Sequence, residues 1–147
     1  MIFVHSYAIR RYLFFIFYLV ALFYVVWIYK NPHSNQLQYN IIPLHTISLY
    51  WHALHHGYAG VAFVNVLGNI MLTMPVGFFT LLFNRKPRLW KALIVGLFLS
   101  IVIETGQFVL HVAGISSRSI DIDDVLLNIM GAGTGYLTAK SFLKKSI

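Results

Sequence analysis

Apolar and polar positions follow one another along this chain in long blocks rather than in short periodic runs. Residues 12–29 (YLFFIFYLVALFYVVWIY) carry no charge. At ~1.5 Å per residue the block makes about 27 Å of helix, close to the ~30 Å hydrocarbon core of a bilayer. Arg10 and Arg11 precede it and Lys30 follows it. Its length, its aromatic content and the lack of a small-residue cleavage site behind it distinguish it from a signal-peptide core, so it is read as an uncleaved span. A second block, 61–83, contains Asn65, Asn69 and Pro75, and a third, 92–112, contains Glu104, Gln107 and His111. A fourth block, 125–139, gives only about 22 Å of helix. To cross a membrane it must start near Asp121 or run on towards Leu143, which places the span at about 121–140. The pattern predicts an all-α membrane protein, a four-helix transmembrane bundle in one domain over 1–147.

Composition agrees. The chain is 59% hydrophobic and 10% charged, with a mean hydropathy of +0.72. Soluble domains carry about 25% charged residues, so a soluble enzyme domain is excluded, and so is disorder. The chain has no cysteine, which removes disulfides, thiolate catalysis and Cys-based metal centres. A net charge of +7 is read as membrane orientation rather than nucleic-acid binding. Arg10, Arg11, Arg85, Lys86, Arg88, Lys91, Lys140, Lys144 and Lys145 fall on one side of the four spans, and only Lys30 and Arg118 on the other. Basic loops stay inside, so both termini are expected in the cytoplasm, with the protein a multi-pass membrane component. The first loop, residues 30–60, then faces outward. Its aromatic stretch after Pro43 (LHTISLYWHAL) suits an interfacial or re-entrant segment.

Ionisable groups inside a membrane are costly and are functional candidates by default. Glu104, Gln107 and His111 share a helix face at i, i+3 and i+7. On the fourth span Asp121, Asp124, Asn128, Gly131 and Gly135 fall within an arc of roughly 80° at ~100° per residue, with Arg118 one turn earlier. Asn65 and Asn69 are i, i+4 on the second span. The expected topology puts all of these except the two glycines in the outer half of the bilayer. Asn65, Asn69, Glu104, Gln107, Arg118, Asp121, Asp124 and Asn128 are therefore expected to line one polar pocket open to the outside. Asp123 points away from that stripe. Plainer roles compete at each position: the amides can be interhelical hydrogen-bond glue, Arg118 with Asp121 an ion pair, Asp121 and Asp124 helix caps, Gly131 and Gly135 a packing face, and Pro75 a kink.

The histidines His45, His52, His55 and His56 cluster in the outward loop, but no carboxylate accompanies them there and no H-E-x-x-H pattern exists. An interfacial loop is preferred to a metal site. No G-x-S-x-G is present. Ser116, Ser117 and Ser119 lie near Arg118 without an evident base. No metal or cofactor is expected, and the only acid–base candidates are Glu104, Asp121 and Asp124.

Together these motifs resemble the VanZ-like family of bacterial membrane proteins. Asn40-Ile41-Ile42-Pro43-Leu44-His45-Thr46-Ile47 is similar to the family's N-x-x-P-F-x-T-I element. Asn65-x-x-Gly68-Asn69-x-x-Leu72-x-x-Pro75-x-Gly77 is similar to its N-x-x-G-N-x-x-x-x-x-P-x-G stretch. Glu104-x-x-Gln107, Arg118-Ser119-Ile120-Asp121-Ile122-Asp123-Asp124 and Asn128-x-x-Gly131-x-x-x-Gly135-Tyr136 complete the likeness, which covers 40–136. Leu44 and Thr73 stand where the family more often has Phe. The resemblance implies a cell-envelope role tied to resistance to the lipoglycopeptide teicoplanin. The expected partners are the lipid bilayer and a lipid-linked cell-wall precursor or lipoglycopeptide. The alternative is an intramembrane enzyme acting on a lipid or precursor headgroup, with Glu104 and Asp121 or Asp124 as acid and base.

Overall fold

The computed structural model describes residues 2–29, 39–56, 59–84, 86–115 and 120–145. Five helices carry the fold. Helix α1 (Ile2–Phe23) runs on into a π-helical turn (Tyr24–Ile28). Then follow α2 (His45–His55), α3 (Ala59–Phe83), α4 (Leu89–Val112) and α5 (Ile122–Lys145). The only β pairing among the described residues is a two-residue parallel contact of β1 (Tyr39–Asn40) with β2 (Ile120–Asp121).

Three of these helices are long and apolar enough to cross a membrane: Ile9–Ile28, Phe63–Phe83 and Leu89–Val112. Their outward side chains, among them Phe14, Phe17, Val64 and Phe98, are largely exposed. In water such a surface is untenable; in lipid it is solvated. Helix α5 is not among the three. Its 24 residues reach about 36 Å, but it opens on acidic residues and carries Thr134, Thr138 and Lys140 further along.

Local chemistry sets the helix ends. Helix α4 stops in a Schellman motif: the Ile115 N–H donates to the Leu110 carbonyl (2.9 Å) and the Gly114 N–H to the His111 carbonyl (2.8 Å). Gly114 takes the positive φ (+70°) that the motif requires. Helix α5 starts on Asp121, whose Oδ1 accepts the Asp123 N–H at 2.9 Å, an N-cap bond. Pro75 sits inside α3, so the Met71 carbonyl loses its usual helical donor.

Packing centres on α3 and α5. A Cβ at Gly77 would overlap the Ala132 carbonyl oxygen, and one at Gly135 the Met74 carbonyl oxygen. Glycine is what lets the two backbones touch, the small-residue device of membrane helix pairs. At this end Leu81, Ala92, Tyr136 and Ala139 form a buried cluster. Helix α1 lies against α3 through rings, with Tyr12 stacked on Phe83 at 5.1 Å and Phe15 edge-on to Phe79 at 5.0 Å. The Tyr18 hydroxyl donates to the Leu72 carbonyl (2.9 Å). The π turn then leads α1 to α4, where Leu22 and Val26 bury against Ile103.

Candidate functional site

Beyond the close approach of Gly131 to the Ile70 carbonyl, a cavity of about 410 Å³ opens between the π turn, α3, α4 and α5. Asn65 and Asn69 reach it from α3, Glu104 and Gln107 from α4, and Asp124 and Asn128 from α5. Six of the eight residues singled out in the sequence thus share one wall. Helical spacing explains this: each pair lies three or four residues apart, hence one above the other on a single face. Tyr29 and an apolar set that includes Val26, Leu72 and Ile103 complete the lining. Arg118 lies outside the described residues. His111 does not line the cavity.

Asp121 sits at the edge, committed to structure. It is buried, and its Oδ1 receives the Asn40 amide (2.9 Å) as well as the capping N–H of Asp123. Its own backbone N–H points to Glu104 Oε2 at 3.4 Å. The helix-cap role is therefore the one its side chain performs.

Within the cavity the polar groups hold each other. Asn69 Nδ2 donates to Asp124 Oδ1 at 2.6 Å, a short bond to a carboxylate acceptor. Asn128 is 1% exposed. Its Nδ2 donates to Ser100 Oγ (3.0 Å), and its backbone carbonyl accepts from Thr73 Oγ1 (2.8 Å). Asn128 Oδ1, by contrast, is buried with no hydrogen-bond partner among the described residues. Such an orphan acceptor costs about 1–3 kcal/mol.

Two features escape sequence reasoning. Asp123 is fully buried, with Oδ1 accepting the Leu44 N–H (2.6 Å) and Oδ2 the Ile47 N–H (3.1 Å). It caps α2 from a distant part of the chain, beside Leu44, which holds a positive φ of 66°. Nothing near residue 45 signals this, because the acceptor comes from α5. Asn40 adds a second tie, donating to both Thr46 Oγ1 (2.8 Å) and Asp121 Oδ1. The other feature is Tyr50 of α2. Burial pushes its hydroxyl pKa up, the Asp124 carboxylate adds to this, and a side-chain hydrogen bond with Asn65 opposes it. Helix α2 therefore lies against the cavity rim as well as on the outer surface. Its three histidines and the capping His56 are exposed; His55 Nδ1 lies 2.8 Å from the Trp51 carbonyl, and His56 Nδ1 lies 2.8 Å from the His52 carbonyl.

Chemically the site is rich in acceptors. All four acidic residues of the chain, Glu104, Asp121, Asp123 and Asp124, gather at this end. No Ser, Thr, Lys or His is among the described residues that line the cavity, so its walls offer carboxylates and amides for holding a hydroxyl- or amine-bearing group. A family model described as VanZ/LLP1 matches residues 15–144. No curated protein and no solved structure matches the chain.

Proposed function

The chain belongs to the VanZ/LLP1 family, and from that premise we propose that this VanZ-like membrane protein binds the polar head of a lipid-linked or amphiphilic ligand in the cavity between α3, α4 and α5. The single domain over 1–147 spans the bacterial cytoplasmic membrane four times, α5 included, with both termini in the cytoplasm. The cavity then opens to the outside at the level of the outer leaflet, where lipid-linked cell-wall precursors and the acyl chain of a lipoglycopeptide both reside. The observation that carries this reading is the buried, partnerless Asn128 Oδ1 on a wall shared by Asn65, Asn69, Glu104, Gln107 and Asp124. A ligand donor completes a hydrogen bond there that the protein leaves unmade.

Asp121 is spent on the α5 cap, and Asp124 accepts from Asn69. That supports holding a ligand over acid–base work on it. The biological outcome of binding is a change in how the envelope meets a lipid-bearing glycopeptide, without modification of the drug. Expression in a susceptible Gram-positive host is expected to raise resistance to teicoplanin more than to non-lipidated vancomycin. Glu104→Ala, Arg118→Ala or Asn128→Leu, at equal protein level, should abolish the gain. Equal shifts for both drugs, or a gain that survives all three substitutions, overturn the reading. The topology has its own check: a reporter active only outside the cell should be silent when fused at Ile147 and active when inserted near Asn35.

A further inference from the structure

A second recess, separate from the polar cavity, runs along the lipid-facing side of the bundle between α1, α3 and α5. Its volume of about 650 Å³ lies within the roughly 300–1,000 Å³ of small-ligand sites. Along α3 its wall extends from Met71 to Leu82, about 16 Å at ~1.5 Å per residue, the depth of one leaflet of a ~30 Å hydrocarbon core. The recess follows from the packing already described. Gly135 draws α5 onto α3 next to Pro75, and the groove beside that contact is left lined by carbon, chiefly from Met74, Phe78 and Phe142.

One end of this apolar groove is closed by a charge. Arg11 lines it, with Nη1 at 3.4 Å from the Leu82 carbonyl. No carboxylate of the protein is placed to neutralise it, because all four acidic residues of the chain lie at the opposite end of the bundle. Arg10, Lys140 and Lys144 are on Arg11's own end. A guanidinium at the mouth of a hydrocarbon-lined groove, among other cations, calls for an anion that brings its own hydrocarbon. Phosphate suits it, since guanidinium binds phosphate oxygens through paired N–H donors.

We propose that this groove is a binding site for one anionic phospholipid, with an acyl chain along α3 and α5 and the phosphate at Arg11. The lipid comes from the leaflet at the basic end of the bundle, which is the cytoplasmic leaflet in the orientation proposed above. The site is independent of the outer cavity and stands or falls without it.

Native mass spectrometry of the full chain in detergent, titrated with phosphatidylglycerol or phosphatidylcholine of identical acyl chains, tests this. One phosphatidylglycerol should be retained about five-fold more tightly than phosphatidylcholine, the effect of one basic side chain on an anionic lipid. Arg11→Gln should bring the two lipids to near parity. Lys86→Gln, an exposed position outside the groove, should leave the preference intact. Thr138→Trp, which fills the groove from α5, should weaken both lipids, and Arg11→Gln carries the test alone if that variant does not fold. Equal affinity for the two lipids, or equal loss on Arg11→Gln and Lys86→Gln, would reduce the effect to diffuse attraction by a basic surface and overturn the site. So would tight phosphatidylglycerol binding by folded Thr138→Trp.

Discussion

The two ends of the α3–α5 pair solve opposite problems with the same two helices. Towards Gly77 and Gly135 the backbones touch, and van der Waals packing does the holding. Towards Asn69, Asp124 and Asn128 side chains meet through hydrogen bonds and leave room between them. The first arrangement tolerates no added atom. The second keeps an unmade hydrogen bond inside the protein. Close backbone packing along one stretch and hydrogen-bonded side chains around a polar cavity along the next make a division of labour on one helix pair.

That contrast can be broken most directly at its tight end. Gly135→Val drives a side chain into the Met74 backbone carbonyl, which cannot step aside as a flexible side chain would. The expected cost exceeds about 4 kcal/mol, read as loss of a monodisperse peak in size-exclusion chromatography; a well-folded variant would mean that the glycine contact is not what joins the helices. Next in size is Asp123→Ala, which strips the Leu44 and Ile47 N–H groups of their acceptor. About 2–4 kcal/mol is expected, the lower part of the about 2–6 kcal/mol that two fully buried orphaned donors would cost, since both bonds are only part-buried. Hydrogen exchange should quicken over residues 44–48 while α3 and α5 stay protected, and unchanged protection of α2 would remove Asp123 from its anchoring. Ser100→Ala takes away the partner of Asn128 Nδ2 and should cost only about 0.6–1.7 kcal/mol in denaturant titration, a larger effect pointing to a cavity that is structurally essential. Smallest is Thr134→Val. Its hydroxyl bonds the Met130 carbonyl of its own helix and is exposed, so a change within about 0.5 kcal/mol is expected.

Much of this was legible in the sequence, for identifiable reasons. The first three spans show as long, mostly apolar blocks, and the three helices long and apolar enough to cross a membrane overlap them. Polar residues that share a wall declared themselves by i, i+3 and i, i+4 spacing, as with Asn65 and Asn69 or Asp124 and Asn128. Asp121 at the start of α5 was readable because carboxylates favour helix N-termini. What stayed hidden depends on contacts between distant segments. The segment after Pro43 had a pattern suited to an interface, yet its helix is fixed by Asp123 and Asn40, whose partners lie about eighty positions apart in sequence. Tyr50 looked like one aromatic among many until α2 laid it beside Asn65 and Asp124. The π turn at Tyr24–Ile28 has no polar mark; it shows itself only where Trp27 meets Gly106.

The clasp between the segment that leads into α2 and the start of α5 also sets a clock. Asn40 and Leu44 leave the ribosome long before Asp121 and Asp123 do, separated by 81 and 79 residues respectively. At roughly 5–20 residues per second, α2 waits about 4–16 s for its cap, and β1 waits as long for β2. During that interval α2 can lie against α3 through Tyr50 and Asn65, while the Leu44 and Ile47 N–H groups wait for their carboxylate. The cap of α2 is thus completed only when α5 has arrived.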